Sequence, residues 1–542
     1  MFDPITSQAD YDRLRQTFQW DRPGQFNFGQ VVDGHAQSRP DAVALWWVGG
    51  SQERRVTWAE MSQRSGQAAQ GLADLGLNAG DRVLVLLPRV VAWWETMAGL
   101  LKGGLVAMPG TSLLTERDLQ YRLQIAEAAA VITDAAGADK IDAIAGQLPL
   151  LRRKILLDDS PRAGWTLYEE MLAAAPAAPR ATASDDPALI YFTSGTTGMP
   201  KMVLHSQASY GLAHAVTGRW WLNLAEQDVH WNISDTGWAK AAWSSLFGPW
   251  QCGSTVFVQY SSGKFQPEDV LTFLAKYPIT TLCAAPTIYR CLVQLNLDSF
   301  RPAALRQCVA AGEPLNPEVI STWQRATGMT IRDGYGQTET VLQCANFPGV
   351  EIRPGSMGRP TPGFDLAIVD DDGNRLPTGQ EGNLAIRVEP RRPLGMFSEY
   401  WKNPEAMRQS FRHGWYYTGD CAYTDADGYF WFVGRADDVI TSSAYRIGPF
   451  EVESALIEHP AVAESAVVGK PDALRGEIVK AFVVLAAGWQ ASDQLVATLQ
   501  EHVKKVTAPY KYPREIEFVE QLPKTVSGKI RRVELRGQAA KG

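Results

Sequence analysis

Apolar positions along the chain fall into two textures. Over roughly the first two thirds, short unbroken apolar runs alternate with stretches of helical spacing. Val83-Leu84-Val85-Leu86-Leu87 leads into a helical stretch that reaches Lys102. Ala130-Val131-Ile132-Thr133, Ala188 to Phe192, Thr255-Val256-Phe257-Val258 and Thr281 to Ala285 are further runs of the same kind. Unbroken runs of this length suit strands covered on both faces, and their alternation with helices predicts α/β layers with largely parallel strands. After about Gly355 the runs shorten and alternate, as in Asp365-Leu366-Ala367-Ile368-Val369 and Gly382-Asn383-Leu384-Ala385-Ile386-Arg387-Val388, with Asp/Gly turns between them. That pattern predicts a smaller β-rich subdomain. A last strand, Gly428 to Gly434, ends at Arg435-Ala436-Asp437-Asp438, and the remainder reads as a compact α+β unit. The expected architecture is therefore α/β: a large N-terminal domain of layered α/β subdomains plus a β-rich subdomain over residues 1–436, and a small α+β C-terminal domain over 437–542.

Bulk properties narrow the class. A chain of 542 residues is too long for one core. Hydrophobic residues make up 45% and charged residues 20%, as expected of a water-soluble globular protein. A net charge of −7 argues against a nucleic-acid surface. The most membrane-like stretch, Val83 to Pro109, is broken by Arg89, Glu95 and Lys102, and reads as a buried strand and a buried helix rather than a span. Cys252, Cys283, Cys291, Cys308, Cys344 and Cys421 have neither Cys-x-x-Cys nor zinc spacing, which points to free thiols in a reducing compartment. The N-terminal residues lack the apolar core of a signal peptide, so a cytoplasmic location is expected.

The candidate chemistry lies in the loops. The Ala188 to Phe192 strand empties into Thr193-Ser194-Gly195-Thr196-Thr197-Gly198-Met199-Pro200-Lys201. Small hydroxylated residues, two glycines and a lysine present N–H groups, hydroxyls and an ammonium to a polyphosphate. The order differs from a Walker A loop, which needs G-x-x-x-x-G-K-[ST]. Further on come Asp333-Gly334-Tyr335-Gly336-Gln337-Thr338-Glu339-Thr340, Tyr417-Thr418-Gly419-Asp420, Gly434-Arg435-Ala436-Asp437-Asp438 and Pro523-Lys524-Thr525-Val526-Ser527-Gly528-Lys529. In this order and at these separations the set resembles the adenylate-forming superfamily of acyl-CoA synthetases, luciferase and peptide-synthetase adenylation domains. The likeness runs from about residue 30 to the end.

That resemblance implies ATP, Mg²⁺ and CoA, a small carboxylic acid as substrate, and two half-reactions in one site. Thr193, Ser194, Gly195, Thr196, Thr197, Gly198 and Lys201 would hold the β- and γ-phosphates. Thr338 would meet the α-phosphate, and Glu339 the Mg²⁺. Asp420 would bind the ribose hydroxyls, with Arg435 and Arg446 nearby. Gly312-Glu313-Pro314 and Asp333-Gly334-Tyr335-Gly336-Gln337 would wall the adenine slot, Tyr335 stacking on the base. Lys529 would bridge the substrate carboxylate and the α-phosphate, and Asp437 would be the hinge about which a mobile C-terminal domain turns. Ser443, Ala444, Tyr445, Arg475 and Lys504, with Lys505 beside it, would meet CoA.

Trp231 to Trp238 and Tyr445 to Glu453 look closest to the medium-chain acyl-CoA synthetases. Acetate-specific relatives place a Trp where this chain has Gly336. Loss of the indole leaves space for several methylenes, each worth about 0.8 kcal/mol when buried. Trp238 and Trp243 are candidate pocket walls for a medium-chain, branched or aromatic acid rather than acetate. Ala444 stands where relatives carry glycine, which puts the CoA contacts of that loop in question. Two alternatives stay open: a ligase that delivers its acyl-adenylate to a separate carrier protein, and a ligand-binding relative without activity. No nucleic-acid partner and no membrane span are expected, and a homodimer is allowed.

Overall fold

The computed structural model describes residues 2–193, 200–261, 263, 265–442, 445–472, 474–524 and 529–540. Among them the N-terminal part is built on three sheets. The first has eight strands, in the order Glu399–Tyr400, Lys201–Ser206, Pro187–Thr193, Val106–Pro109, Arg82–Leu86, Ala130–Asp134, Arg153–Leu157 and Thr166–Leu167. Its interior is parallel, Arg82–Leu86 lying between Val106–Pro109 and Ala130–Asp134. The second, of nine strands, is parallel from Val43–Gly49 through Thr255–Tyr260, Val229–Ile233, Thr281–Ala284 and Gln307–Ala310 to Ile331–Tyr335. The apolar runs read from the sequence form these parallel interiors.

Pro187–Thr193 and Lys201–Ser206 are antiparallel neighbours, with Thr193 opposite Lys201. The glycine-rich segment thus joins the two arms of a hairpin, and its flanking residues meet across the neck.

The third sheet is antiparallel. It carries Leu366–Val369, Gly382–Arg387, Trp415–Thr424, Phe411–Arg412 and Phe430–Arg435, which is the β-rich subdomain expected after Gly355. The C-terminal residues form a separate five-stranded sheet with the helices Pro449–Ile457, Asp493–Val506 and Arg532–Ala539. Ile447, Leu456, Val467, Val483, Leu499 and Val503 fill its own core. This unit rests on the large one. Asn316 Nδ2 donates to Ser454 Oγ at 3.0 Å, and Gly448 lies so close to the Val433 carbonyl that a Cβ has no room there.

The helix Val91–Gly103 is buried on every side, from Val91 to Lys102. Its two charges are buried because each has a partner. Glu95 accepts Arg64 Nε at 2.8 Å and the Tyr168 hydroxyl at 3.1 Å, and Lys102 Nζ is paired with Asp33 and donates to Ser62 O at 2.9 Å. Among the described residues no helix is long and apolar enough to cross a membrane. Among the described residues no disulfide joins any of the six cysteines. Nine of the tryptophans, among them Trp93, Trp94 and Trp221, are almost fully buried, each removing a large apolar area from water.

The Glu95–Arg64 pair generates a stability prediction. Arg64→Ala strands a buried carboxylate and is expected to cost about 3 kcal/mol. Adding Glu95→Leu removes that charge and should recover most of the loss in thermal unfolding. A double variant no more stable than Arg64→Ala would mean that the pair carries little of the packing.

Candidate active site

The ends of the parallel strands, the β-rich sheet and the C-terminal unit converge on Asp420. Asp420 lies in the strand Trp415–Thr424 and is buried. The hydroxyl of Tyr335, last residue of the strand Ile331–Tyr335, donates to its Oδ2, and Gln337 Nε2 donates to the same oxygen at 2.9 Å. Gln337 also donates to Thr418 O at 2.9 Å and accepts from the Tyr416 hydroxyl at 3.2 Å. Arg435 lies opposite Asp420 in the ladder, its Nη1 3.3 Å from Asp420 Oδ1. Burial raises the Asp420 carboxyl above its ordinary range, while Arg435, the Tyr335 hydroxyl and Lys529 pull the other way.

A second cluster joins the hairpin neck to the Gln337-Thr338-Glu339 loop. The Tyr400 hydroxyl donates to Glu339 Oε1 at 2.9 Å, and Lys201 Nζ lies 5.0 Å from the centre of the Tyr400 ring. His205 Nε2 contacts the Thr338 carbonyl at 2.7 Å, and burial pushes the His205 pKa down to about 4, so the ring is neutral near pH 7 and donates from Nε2. Glu339 is half-buried, and burial raises its carboxyl. Neither Tyr400 nor His205 was singled out from the sequence. Tyr400 reaches the site because the two-residue strand Glu399–Tyr400 pairs with Lys201–Ser206, a register that its neighbours do not announce.

Gly312-Glu313-Pro314 follows the strand Gln307–Ala310. The Glu313 carboxylate is turned to Arg290 Nη2, at 2.9 Å, and to the Thr287 hydroxyl, so this residue braces the segment by its side chain. Burial would raise that carboxyl, but Arg290, Thr287 and Lys529 hold it below the ordinary range. Asp333 is buried and accepts the Gly334 N–H at 3.0 Å; burial pushes its carboxyl well up. Gly336 is exposed, yet a Cβ built there meets the Val341 carbonyl at 3.0 Å. The expected open space beside Gly336 is therefore bounded on one side by backbone. Trp238 is half-buried, and Trp243 stacks on His214 and packs against Trp221 at 5.9 Å.

The C-terminal unit brings Lys529 to this site. Its charge is felt at Glu313, Asp420 and Lys240. Tyr445, Arg475 and Lys504, expected to meet CoA, make contacts within their own unit. Tyr445 stacks on Tyr510 at 4.1 Å, Arg475 N donates to Asp472 Oδ1 at 2.8 Å, and Lys504 pairs with Glu501 at 2.6 Å beside the Tyr512 ring. Asp437 sits in a turn after the strand Phe430–Arg435, where Arg536 Nη1 donates to its carbonyl at 2.6 Å. Ser194, Gly195, Thr196, Thr197, Gly198, Ser443 and Ala444 lie outside the described residues, as does the side chain of Arg446.

This arrangement has known counterparts. The AMP-binding enzyme family model matches residues 32–401, and the AMP-binding enzyme C-terminal domain matches residues 451–529. The chain is 49% identical over 540 residues to the mouse (Mus musculus) acyl-coenzyme A synthetase ACSM3, mitochondrial, covering 97% of this chain and 93% of that protein. It is 50% identical over 528 residues to the human (Homo sapiens) acyl-coenzyme A synthetase ACSM5, mitochondrial, with coverages of 95% and 91%. Among solved structures, the anthranilate CoA ligase AuaEII in complex with anthranoyl-AMP superposes with a TM-score of 0.88 at 32% identity, covering 95% of this chain and 98% of that one. A benzoate CoA ligase from Burkholderia xenovorans LB400 gives 0.83 at 30%, with coverages of 94% and 100%.

The chain belongs to the AMP-binding enzymes. It is an ATP-dependent, AMP-forming acid–thiol ligase, an acyl-CoA synthetase whose substrates are a carboxylic acid, ATP and CoA. The relatives also correct one expectation: the matching mouse and human synthetases are named mitochondrial, which overturns the cytoplasmic assignment. Free thiols and a modest negative charge suit more than one aqueous compartment, so composition could not decide it.

The Tyr400–Glu339 contact yields the next expected outcome. Tyr400→Phe removes a hydrogen bond to a half-buried carboxylate and should lower kcat/KM for ATP about tenfold. KM for the acid should hold. Steady-state kinetics check this, and unchanged ATP parameters would remove the hydroxyl from the site's function.

Proposed function

We propose that this synthetase acts on medium-chain, branched or aromatic acids in preference to acetate, with the site residues in the following roles. The observation that supports the reading is that the Lys529 charge, carried by the C-terminal unit, is felt at Asp420 and Glu313 of the large domain. In the first half-reaction an acid carboxylate oxygen attacks the α-phosphorus of ATP, and the bond to the bridging oxygen breaks to release pyrophosphate. Both reactants are anionic. Lys529 lowers their repulsion and stabilises the charge on the α-phosphate in the transition state. Lys201 and the loop that begins at Thr193 hold the departing phosphates. Asp420 accepts hydrogen bonds from the ribose diol. Its position is fixed by Tyr335, Gln337 and Arg435.

The donor set suits Mg²⁺. Glu339 offers one carboxylate braced by Tyr400, and Mg²⁺ usually takes one or two protein carboxylates while keeping waters and substrate phosphates as its other ligands. When bound there it would neutralise charge on the polyphosphate.

In the second half-reaction the CoA thiolate attacks the acyl carbonyl, and the bond to the AMP oxygen breaks. Lys529 fills the space the thiol needs. The C-terminal domain, residues 437–542, therefore turns about Asp437 and carries Tyr445, Arg475 and Lys504 to the entrance. The Arg536 contacts with the Asp437 carbonyl and, at 2.8 Å, with Asp438 Oδ1 support a pivot at this turn, because they tie the last helix to it.

A panel of acids tests the function: AMP release should need CoA and rise from acetate to longer or aromatic acids. Acetate as the best substrate, or AMP release indifferent to CoA, would overturn the reading. Gly336→Trp should shift kcat/KM toward acetate once the Val341 carbonyl gives by a few tenths of an ångström; an unaltered chain-length profile would remove Gly336 from the pocket. Lys529→Ala should slow adenylate formation by on the order of 4 kcal/mol or more. Thioester formation from supplied acyl-adenylate should change far less, and equal losses in both steps would make Lys529 structural.

A further inference from the structure

We infer that Lys240 is a positioning residue for the nucleotide: its ammonium fixes the Ala311–Gly312 peptide and, through it, the wall of the adenine slot. This rests on the reading of residues 312–314 as that wall. Lys240 lies in the short helix Ala239–Ala242, two residues after the candidate pocket residue Trp238. Its half-buried side chain crosses to the next layer, where Nζ donates to the Ala311 carbonyl at 2.8 Å.

The geometry of that peptide gives the contact its consequence. A trans peptide is planar, so fixing the Ala311 carbonyl toward Lys240 turns the Gly312 N–H to the opposite side. Gly312 has φ +110°, a conformation that other residues rarely adopt, and nothing lies within 4 Å of where a Cβ would be. Side-chain packing therefore does not hold this turn, and glycine is the residue least able to hold itself. The segment is tied instead at two points. On one side the Glu313 carboxylate is bound by Arg290 and Thr287. On the other the Ala311 carbonyl is bound by Lys240.

Charge supports the same placement. Cys283, Glu313, Lys529 and Asp333 all act on the ammonium electrostatically. Burial lowers the Lys240 pKa, and the two carboxylates work to keep it charged, while an arriving Lys529 opposes it. Because Lys240 lies two residues after Trp238 in the chain, its contact with Ala311 links the segment beside the candidate acyl pocket to the adenine wall.

The test compares Lys240→Met, Lys240→Arg and Tyr335→Ala in the full-length enzyme. The readouts are KM for ATP and for the acid, and the Kd of AMP by calorimetry. Lys240→Met should raise KM for ATP and Kd for AMP about tenfold and leave KM for the acid within about twofold. Lys240→Arg should restore most of the loss, which a merely structural role would not require. If Lys240→Met folds poorly, Gly312→Ala strains the same peptide and should give the same split between ATP and acid. Unchanged ATP and AMP binding in Lys240→Met, with both weakened in Tyr335→Ala, overturns the role of Lys240 and leaves the slot reading standing. A rise confined to KM for the acid overturns it as well, since Lys240 would then meet the carboxylate substrate. If Tyr335→Ala also leaves AMP binding unchanged, the slot reading fails and the inference falls with it.

Discussion

The buried carboxylate of Asp420 is the contact on which the rest of this site depends. A lone carboxylate is costly to bury, so Asp420 must collect partners, and those partners come from different parts of the molecule. Tyr335 closes the parallel sheet, Gln337 opens the following loop, and Arg435 ends the strand that leads to the C-terminal unit. Satisfying one charge thus fixes the relative positions of the parallel sheet, the β-rich sheet and the turn at Asp437. The same oxygens remain hydrogen-bond acceptors for a ligand in the cleft, so the feature that organises the apoprotein also fits the ribose role proposed for it.

Around that point the site is assembled from short ties between layers. Tyr400 joins Glu339 to the hairpin neck at Lys201, His205 holds the Thr338 carbonyl, and Lys240 holds the Ala311 carbonyl. Each tie involves a loop that would otherwise be set by its own backbone alone. The parallel strands deliver those loops to one edge, and the ties set them at hydrogen-bond precision. Lys529 belongs to a unit with its own core, as the proposed withdrawal of this lysine between half-reactions requires.

Much of the architecture was legible in the sequence because buried strands and helices write themselves as apolar runs. The strand at Ala188 to Phe192, the wholly buried helix Val91–Gly103 and the alternating strands after Gly355 are of this kind. The motif loops were legible by likeness to a family. The rest depended on contacts between residues far apart in the chain. Glu95 is tolerated in an apolar helix because of Arg64, and Lys102 because of Asp33, and neither partner is near in sequence. The hairpin at Lys201 was hidden because its second arm, Lys201–Ser206, mixes polar and apolar residues. Tyr400, His205 and Lys240 looked like ordinary residues because each lies outside the motif segments and meets its partner only through the fold. Glu313 was placed in the adenine wall, but its carboxylate is held by Arg290, which sits in the helix Pro286–Leu292.

In the proposed scheme Asp420 is both the organiser of the seat and its ribose acceptor. The direct measurement is calorimetric AMP binding by Asp420→Asn, read together with thermal unfolding. The amide keeps the shape and one acceptor oxygen but sets its NH2 against one of the donors around Asp420, so the unfolding midpoint should fall, and loss of the charge should weaken AMP binding at least about tenfold. An Asp420→Asn protein that binds AMP as tightly as the parent would contradict the account, whatever its stability.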